Sequence, residues 1–300
     1  MVVTPRGNWT GKTKGGLIVS KDQCQTFTRL EMPYGLSKVI DQRLHAIEKP
    51  NVNSGWVAVS PDCQHIVWSI AEGIKLPLDS VVYSPDGGAH FKRSKVYNGE
   101  GHEVQEGGLK VFSDRVCSQR MYGFGSHSDF YISHDGGATF KAYKLPKDFP
   151  IIDFTLIDCA DGTEIRADAG RSGIFYMALG QYGLWKMIYE AQKDTINLKC
   201  LSQEGQAVYH IGLGPIREGS EYLKEDKALY ISGVVEGQYG FYCSLNEGKT
   251  WTRLNTDKQM FGDINSIEGD SRCFGRFYLG TGSVGVLYGE LMRLIKEKIV

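Results

Sequence analysis

Short clusters of β-branched and aromatic residues recur along the chain, each a few residues long and each broken by Gly, Asp, Asn or Ser. Examples are Leu17-Ile-Val19, Val81-Val-Tyr83, Phe130-Tyr-Ile132, Ile174-Phe-Tyr-Met-Ala178, Phe241-Tyr-Cys243 and Val286-Leu-Tyr288. Runs of that length between turn-forming residues predict β-strands. Nothing approaches the roughly 18 consecutive apolar residues that a membrane-spanning helix requires.

Four of the turn segments share one frame, Ser-x-Asp/Asn-x-x-x-x-aromatic. They are Ser20–Phe27, Ser84–Phe91, Ser133–Phe140 and Ser244–Trp251, and each sits between two predicted strands. The frame has the chemistry of a hairpin. Asp or Asn accepts backbone N–H bonds across the turn, and Gly takes the positive-φ position. Ser anchors the incoming strand, and the aromatic ring is expected to pack beneath the turn. These residues hold turns and do not carry out a reaction.

This frame is the Asp-box, and the chain resembles Asp-box β-propellers. The box serines lie 64, 49 and 111 residues apart, and a four-stranded blade takes about 40–50 residues. With the box joining the third strand of a blade to the fourth, the second blade has strands at Gly55–Ser60, His65–Trp68, Val81–Tyr83 and Phe91–Arg93. A third is expected over 109–145, a fourth without an intact box over 165–201, a fifth over 206–254 and a last unit over 263–290. The first unit begins at Gly15-Gly-Leu-Ile18, already at a third strand. The expected domains are therefore an extension over 1–14, the propeller over 15–290 and an amphipathic tail over 291–300, read as a docked helix.

Composition narrows the function classes. Glycine supplies 37 of 300 residues, about 12% against a usual level near 7%, which suits many tight turns. Lys+Arg 34 against Asp+Glu 35 leaves a net charge of −1, so no overall field attracts nucleic acid or an anionic membrane, and neither is expected as a partner. The seven cysteines contain no Cys-x-x-Cys pair, which gives neither zinc-ligand nor disulfide-scaffold spacing. They are expected to be small buried hydrophobes. The seven histidines form no His-x-x-x-His pair, so no metal and no cofactor are expected.

Further motifs occur in a telling order: Gly55-Trp-Val-Ala-Val-Ser60, His65-Ile-Val-Trp68, Ser113-Asp-Arg-Val116, Gly183-Leu-Trp185, Trp251-Thr-Arg-Leu-Asn255, Gly269-Asp-Ser-Arg272, Gly275-Arg-Phe-Tyr-Leu-Gly-Thr281 and Leu287-Tyr-Gly289. From about residue 15 to 290 this succession resembles the carboxy-terminal β-propeller of glycoside hydrolase family 74, the xyloglucan-cleaving endo-β-1,4-glucanases. The resemblance implies two seven-bladed propellers gripping a β-glucan, so the expected class is all-β, with about six recognisable blades of such a ring. The implied partners are a β-glucan or xyloglucan oligosaccharide and a second propeller lobe.

The resemblance also implies an inverting reaction with one aspartate from each propeller, acid and base on opposite sides of the bond. By the family pattern the base belongs to the amino-terminal propeller and the acid lies upstream of this sequence, so the isolated chain is expected to be inactive. Gly262-Asp263-Ile264 echoes the acid motif, but its context is that of the far carboxy-terminal region, and Asp263 is not read as the acid. Sugar contacts are expected on loops joining second to third strands and fourth strands to the next blade. Trp68, Tyr122 and Phe124 end second strands and are the candidate stacking platforms, with packing between blades as the alternative role. Trp56, Trp185 and Trp251 read as packing or box aromatics.

The competing class is a non-catalytic Asp-box propeller that binds glycan or protein. A sialidase would need an arginine triad and an early Phe/Tyr-Arg-Ile-Pro motif, which is not found. Gly280-Thr-Gly-Ser-Val-Gly285 satisfies G-x-G-x-x-G, but a strand and not a helix follows it, against a dinucleotide site. Asn8-Trp-Thr10 is a glycosylation sequon, usable only after export. The family resemblance implies an extracellular protein, whereas the start Met1-Val-Val-Thr-Pro-Arg6 lacks the layout of a secretory signal and points to the cytoplasm if the chain is complete.

Overall fold

The computed structural model describes residues 2–3, 17–30, 52–72, 81–104, 108–154, 163–215 and 227–291. The sequon at Asn8, the loop over 73–80 and the tail beyond Leu291 lie outside the described residues. The chain divides into two compact units, Met1–Asp158 and Cys159–Val300.

In the first unit, sheet one holds Val2–Val3, Ile18–Val19 and Thr28–Arg29. Val2–Val3 pairs antiparallel with Ile18–Val19, so this sheet has a second strand that the turn spacing does not predict. Sheet two runs Val52–Val59, Ile66–Glu72, Val81–Ser84 and Lys92–Arg93. Sheet three runs Lys110–Ser113, Met121–Phe124, Phe130–Ser133 and Thr139–Tyr143, extended by Lys95–Tyr97 and Glu103–Val104. Lys95–Tyr97 lies parallel to Thr139–Tyr143, a pairing that no local turn signal announces.

In the second unit, sheet four holds Glu164–Ala167, Ile174–Ala178, Leu184–Glu190 and Thr195–Cys200. Sheet five holds Ala207–Pro215, Lys227–Val235, Gln238–Ser244 and Thr252–Arg253. Sheet six has three strands, Ile264–Gly269, Arg276–Thr281 and Val286–Glu290. The first strands of sheets two, five and six each carry a register shift, which bends the strand and strengthens its twist.

Why these sheets stack follows from the period of two along each strand. In Lys227–Val235, Leu229, Ile231 and Val235 point one way, into a core shared with Tyr176, Ala178 and Leu184 of sheet four. Ala228 and Tyr230 point the other way, onto Ile264, Ile267 and Phe277 of sheet six. Both faces are buried, so the strand reads as a near-continuous apolar run. In the first unit Val67 and Val81 of sheet two meet Val111, Met121 and Phe140 of sheet three. Leu17 of sheet one packs with Ile66, Trp68 and Val82 of sheet two.

The close approach is made by glycine. A Cβ on Gly212, in the first strand of sheet five, would lie 2.5 Å from the Cα of Glu268 in the first strand of sheet six. On Gly137, in a turn of sheet three with φ +97°, it would lie 2.1 Å from Val67 of sheet two.

The four Ser-x-Asp/Asn turns share one hydrogen-bond pattern. Ser133 Oγ donates to Asp135 at 2.8 Å and accepts the Gly137 N–H at 2.9 Å, while Asp135 accepts the Thr139 N–H at 2.9 Å and its hydroxyl at 2.6 Å. Ser84 with Asp86 and Ser20 with Asp22 repeat the arrangement. In sheet five the neutral Asn246 does the same work, accepting the Thr250 N–H at 3.0 Å. Phe91 and Phe140 are buried beneath their turns, but Phe27 is 47% exposed; its turn joins strands of only two residues each.

The cysteines depart from expectation. Of the six described, Cys243 alone is buried, while Cys24, Cys63 and Cys200 are exposed and Cys117 and Cys273 are half-buried. Cys24 and Cys63 occupy left-handed turn positions with φ of 69° and 61°, and turns face water. Among the described residues no His, Cys, Asp or Glu cluster of three gathers to hold a metal. No described helix is long and apolar enough to cross a membrane.

Candidate functional site

Within each antiparallel sheet, the turn from first to second strand and the turn from third to fourth lie at one end. The turn from second to third strand and the link to the next sheet lie at the other. The Ser-x-Asp turns occupy the first end, and a second family of capped turns joins them there. Asp114 accepts the Val116 and Cys117 N–H groups at 2.8 and 2.9 Å, and Asp270 accepts those of Arg272 and Cys273 at 2.9 and 3.1 Å. The same carboxylates receive tyrosine hydroxyls eight residues on, Tyr122 at 3.0 Å and Tyr278 at 2.9 Å. Arg120 and Arg276 stand 3.5 and 4.0 Å away. The two segments spell Asp-x-x-Cys-x-x-Arg-x-Tyr, a repeat absent from the sequence-based expectations above. It was legible in the spacing alone.

Asp168 stands at the equivalent turn of sheet four but is completely buried and engages Arg171 at 2.9 Å and Lys227 at 3.4 Å. Tyr176, eight residues on, is completely buried. Burial first, and then the Glu247 carboxylate, push its ionisation above the ordinary phenol range. Lys186 pairs with Glu247 and lies 5.6 Å from the Tyr176 ring centroid.

This turn chemistry decides the place of the candidate stacking residues. Trp68, Tyr122 and Phe124 are 3%, 1% and 0% exposed. Trp68 does not end its strand, which continues to Glu72, and its ring packs in the core with Leu17 and Phe91. Tyr122 is tied to Asp114, and burial followed by that carboxylate pushes its phenol pKa up. Phe124 stacks on Phe154 at 4.3 Å and contacts Phe130 at 4.7 Å. All three rings are buried between strands and sheets in this structure. The three residues are not brought into one site: Trp68 lies in one core, Tyr122 and Phe124 in sheet three.

The opposite end of the second unit carries several aromatic side chains. The turn Leu179–Gly183 presents Tyr182, 47% exposed. Farther along, Tyr209 and Tyr239 approach at 6.3 Å between ring centroids, and Phe261 stacks on Phe241 at 6.4 Å. Burial raises the Tyr239 pKa, Tyr209 and Asp263 add to it, and the Ser232 hydroxyl opposes it. His210 shares a 2.7 Å hydrogen bond with Ser232, and burial, then the Arg166 charge, hold its pKa below the usual imidazole value. Asp263 is exposed on the link into sheet six, and its carbonyl accepts the Gly282 N–H at 2.8 Å.

The first strands carry the other carboxylates near this region. Arg166 donates to Glu268 at 2.8 Å and also to Glu164. Glu164 accepts the Ile211 N–H at 2.9 Å, and Glu268 the Leu213 N–H at 3.0 Å. Glu268 spends both oxygens on other first strands, while Glu164 spends one on Ile211 and the other on Arg166 of its own strand. That is the chemistry of a rivet: a general acid must instead hold a proton for release.

Within each unit, stacked sheets of antiparallel strands with capped hairpins at one end of each sheet are β-propeller blades. The sequence is 32% identical over 248 residues to the xyloglucanase Xgh74A of Acetivibrio thermocellus, covering 81% of this chain and 25% of that protein. A Paenibacillus xyloglucanase is 31% identical over 239 residues, 79% of this chain and 20% of the other. Among solved structures, the family 74 xyloglucanase of Xanthomonas campestris superposes with a TM-score of 0.65 at 26% identity, over 91% of this chain and 33% of that one. The family 74 enzyme of Niastella koreensis has the same fold, with a TM-score of 0.62 at 21% identity over 91% of this chain and 34% of that one. No protein-family model matches the chain. The chain is homologous to a propeller portion of glycoside hydrolase family 74, and spans about a quarter of the length of the curated relatives it matches.

Proposed function

We propose that this chain is one propeller portion of a xyloglucan-active protein of glycoside hydrolase family 74, of the carboxy-terminal type. In this reading the four Ser-x-Asp/Asn turns are its Asp-boxes, and they fix the blades from the end away from the ligand. The ligand is the β-1,4-glucan backbone of xyloglucan, held with the help of a second propeller lobe. The observation that carries the reading is the 32% identity to a xyloglucanase across 81% of the chain.

The 300 residues of this chain do not, in this reading, supply the opposed pair of carboxyl groups that inverting hydrolysis needs. Such a pair works across a gap of about 6.5–9.5 Å with one member protonated. The described carboxylates support that view. Asp114 and Asp270 are bound to turn amides and tyrosine hydroxyls. Asp168 is enclosed by Arg171 and Lys227. Glu164 and Glu268 are bridged by Arg166.

Titration of a xyloglucan oligosaccharide into the chain, with a reducing-end assay on the same sample, tests both halves. Saturable binding without release of reducing ends is expected. Turnover that a single Asp→Asn change within the chain abolishes would overturn the catalytic half; absence of binding would overturn the rest.

A further inference from the structure

Tyr182 is an exposed aromatic outside the candidate platforms predicted from the sequence, and its surroundings make it rigid. The turn from Leu179 to Gly183 closes on itself three times. Leu179 N–H donates to the Gly183 carbonyl at 2.9 Å, Tyr182 N–H to that of Leu179 at 3.0 Å, and Gly183 N–H to that of Gly180 at 3.0 Å. The Tyr182 carbonyl accepts the indole N–H of the buried Trp185 at 2.8 Å. Gly180 exchanges two 2.8 Å bonds with Val208 in the first strand of sheet five. A turn fixed at so many points leaves Tyr182 little backbone entropy to lose on binding.

The same turn is stitched to the link between sheets four and five. Leu184 N–H donates to Ser202 Oγ at 2.9 Å, and Leu201 N–H to the Leu184 carbonyl at 2.7 Å. Gly183 has φ +78°, and a Cβ there would lie 2.6 Å from the Ser202 Cβ, so turn and link are in direct apposition. The link is itself folded over, with Gln206 Oε1 accepting the Gln203 N–H at 3.2 Å and Gln206 N–H donating to the Gln203 carbonyl at 3.2 Å. Its tip exposes Gln203 and Glu204, and the turn exposes Gln181 beside Tyr182.

A half-exposed ring on a turn apposed to a link, the two exposing between them two uncharged amides and one carboxylate, matches a glucosyl residue. The ring covers the C–H face of the sugar, and amide and carboxylate oxygens and amide N–H groups serve its equatorial hydroxyls. The apolar area alone does not select a partner; a rim of Gln181, Gln203 and Glu204 favours a polyhydroxylated one. We propose that Tyr182 is a sugar-stacking platform and that Gln181, Gln203 and Glu204 form its polar rim, together one subsite for a glucan. This subsite rests on the reading of the chain as glucan-binding.

Calorimetric titration with a xyloglucan oligosaccharide, on the whole chain and on Tyr182→Ala and Tyr182→Trp variants, tests it. Loss of the ring is expected to weaken binding about ten-fold, as for one well-placed aromatic contact. Tyr182→Trp keeps a stacking face and is expected to bind within about two-fold of the parent. Thermal unfolding should be unchanged in both, because the side chain is exposed and the turn is held by backbone bonds. If the parent binds and Tyr182→Ala binds equally well, the platform is refuted while the glucan reading stands. If the parent itself shows no binding, both fall.

Discussion

Ser133 and Asp135 allow the turn chemistry to be dissected one bond at a time. Ser133 is buried, and its Oγ is the acceptor for the buried Gly137 N–H at 2.9 Å. Ser133→Ala leaves that amide unpaired, which costs about 1–3 kcal/mol. Asp135 accepts the Thr139 amide, the Thr139 hydroxyl and the Ser133 hydroxyl, but its outer edge is wet, so water replaces part of what is lost. Asp135→Ala is therefore expected to cost about 1–2 kcal/mol, the scale of a removed cap. Asp135→Asn is expected to cost less than about 1 kcal/mol, because Asn246 holds the same turn in sheet five.

The pH dependence gives a second handle. Burial works to raise the Asp135 pKa, but the Thr139 hydroxyl and amide and the Ser133 hydroxyl outweigh it and hold it low. Its native pKa is thus below its unfolded value, and its contribution is present above about pH 4 and lost as pH falls through the native pKa. The gap between the parent and Asp135→Asn should close over that acid range. Equilibrium urea unfolding followed by far-UV circular dichroism measures both effects. A Ser133→Ala loss below about 0.5 kcal/mol, the range of an ordinary surface change, would refute the reasoning, as would Asp135→Asn matching Asp135→Ala.

Two further outcomes follow from close packing and burial. Gly137→Ala should cost about 2–4 kcal/mol, since it combines a left-handed backbone with a Cβ 2.1 Å from Val67 Cγ2; urea unfolding indistinguishable from the parent would show that the turn does not press on sheet two. His210, whose pKa is held down by burial and then by Arg166, binds a proton more readily unfolded than folded. Stability should therefore fall as pH drops below about 6.5. His210→Gln should flatten that slope between about pH 6.5 and 5 in thermal unfolding scans, and an unaltered slope would assign it to other groups.

The propeller was legible because its turns repeat with fixed chemistry: Ser, Asp and Gly at set offsets identify hairpins whatever the strands contain. The paired turn at Asp114 and Asp270 was equally legible in its Asp-x-x-Cys-x-x-Arg-x-Tyr spacing, but its two copies lie farther apart than neighbouring boxes and stand out less. The exposure of individual aromatic rings was the harder problem. Trp68, Tyr122 and Tyr182 all belong to strand ends or turns in the sequence. Burial depends on which neighbour covers each face, and strand periodicity does not encode that for strands packed on both sides. Tyr122 is claimed by Asp114 and Trp68 by the core of sheets one and two, whereas Tyr182 lies on a turn held through its backbone and keeps its ring half-exposed. The cysteines failed for a related reason. Residue-type averages place cysteine inside, while Cys24 and Cys63 occupy left-handed turn positions.

The most direct measurement is the heat released when a xyloglucan oligosaccharide is titrated into the full chain, with an unbranched β-1,4-glucan and an α-glucan of equal length alongside. The account predicts saturable heats for the xyloglucan and weaker or equal ones for the unbranched β-glucan, with none for the α-linked chain. Flat titrations with both β-glucans, in a sample that unfolds cooperatively, would contradict it.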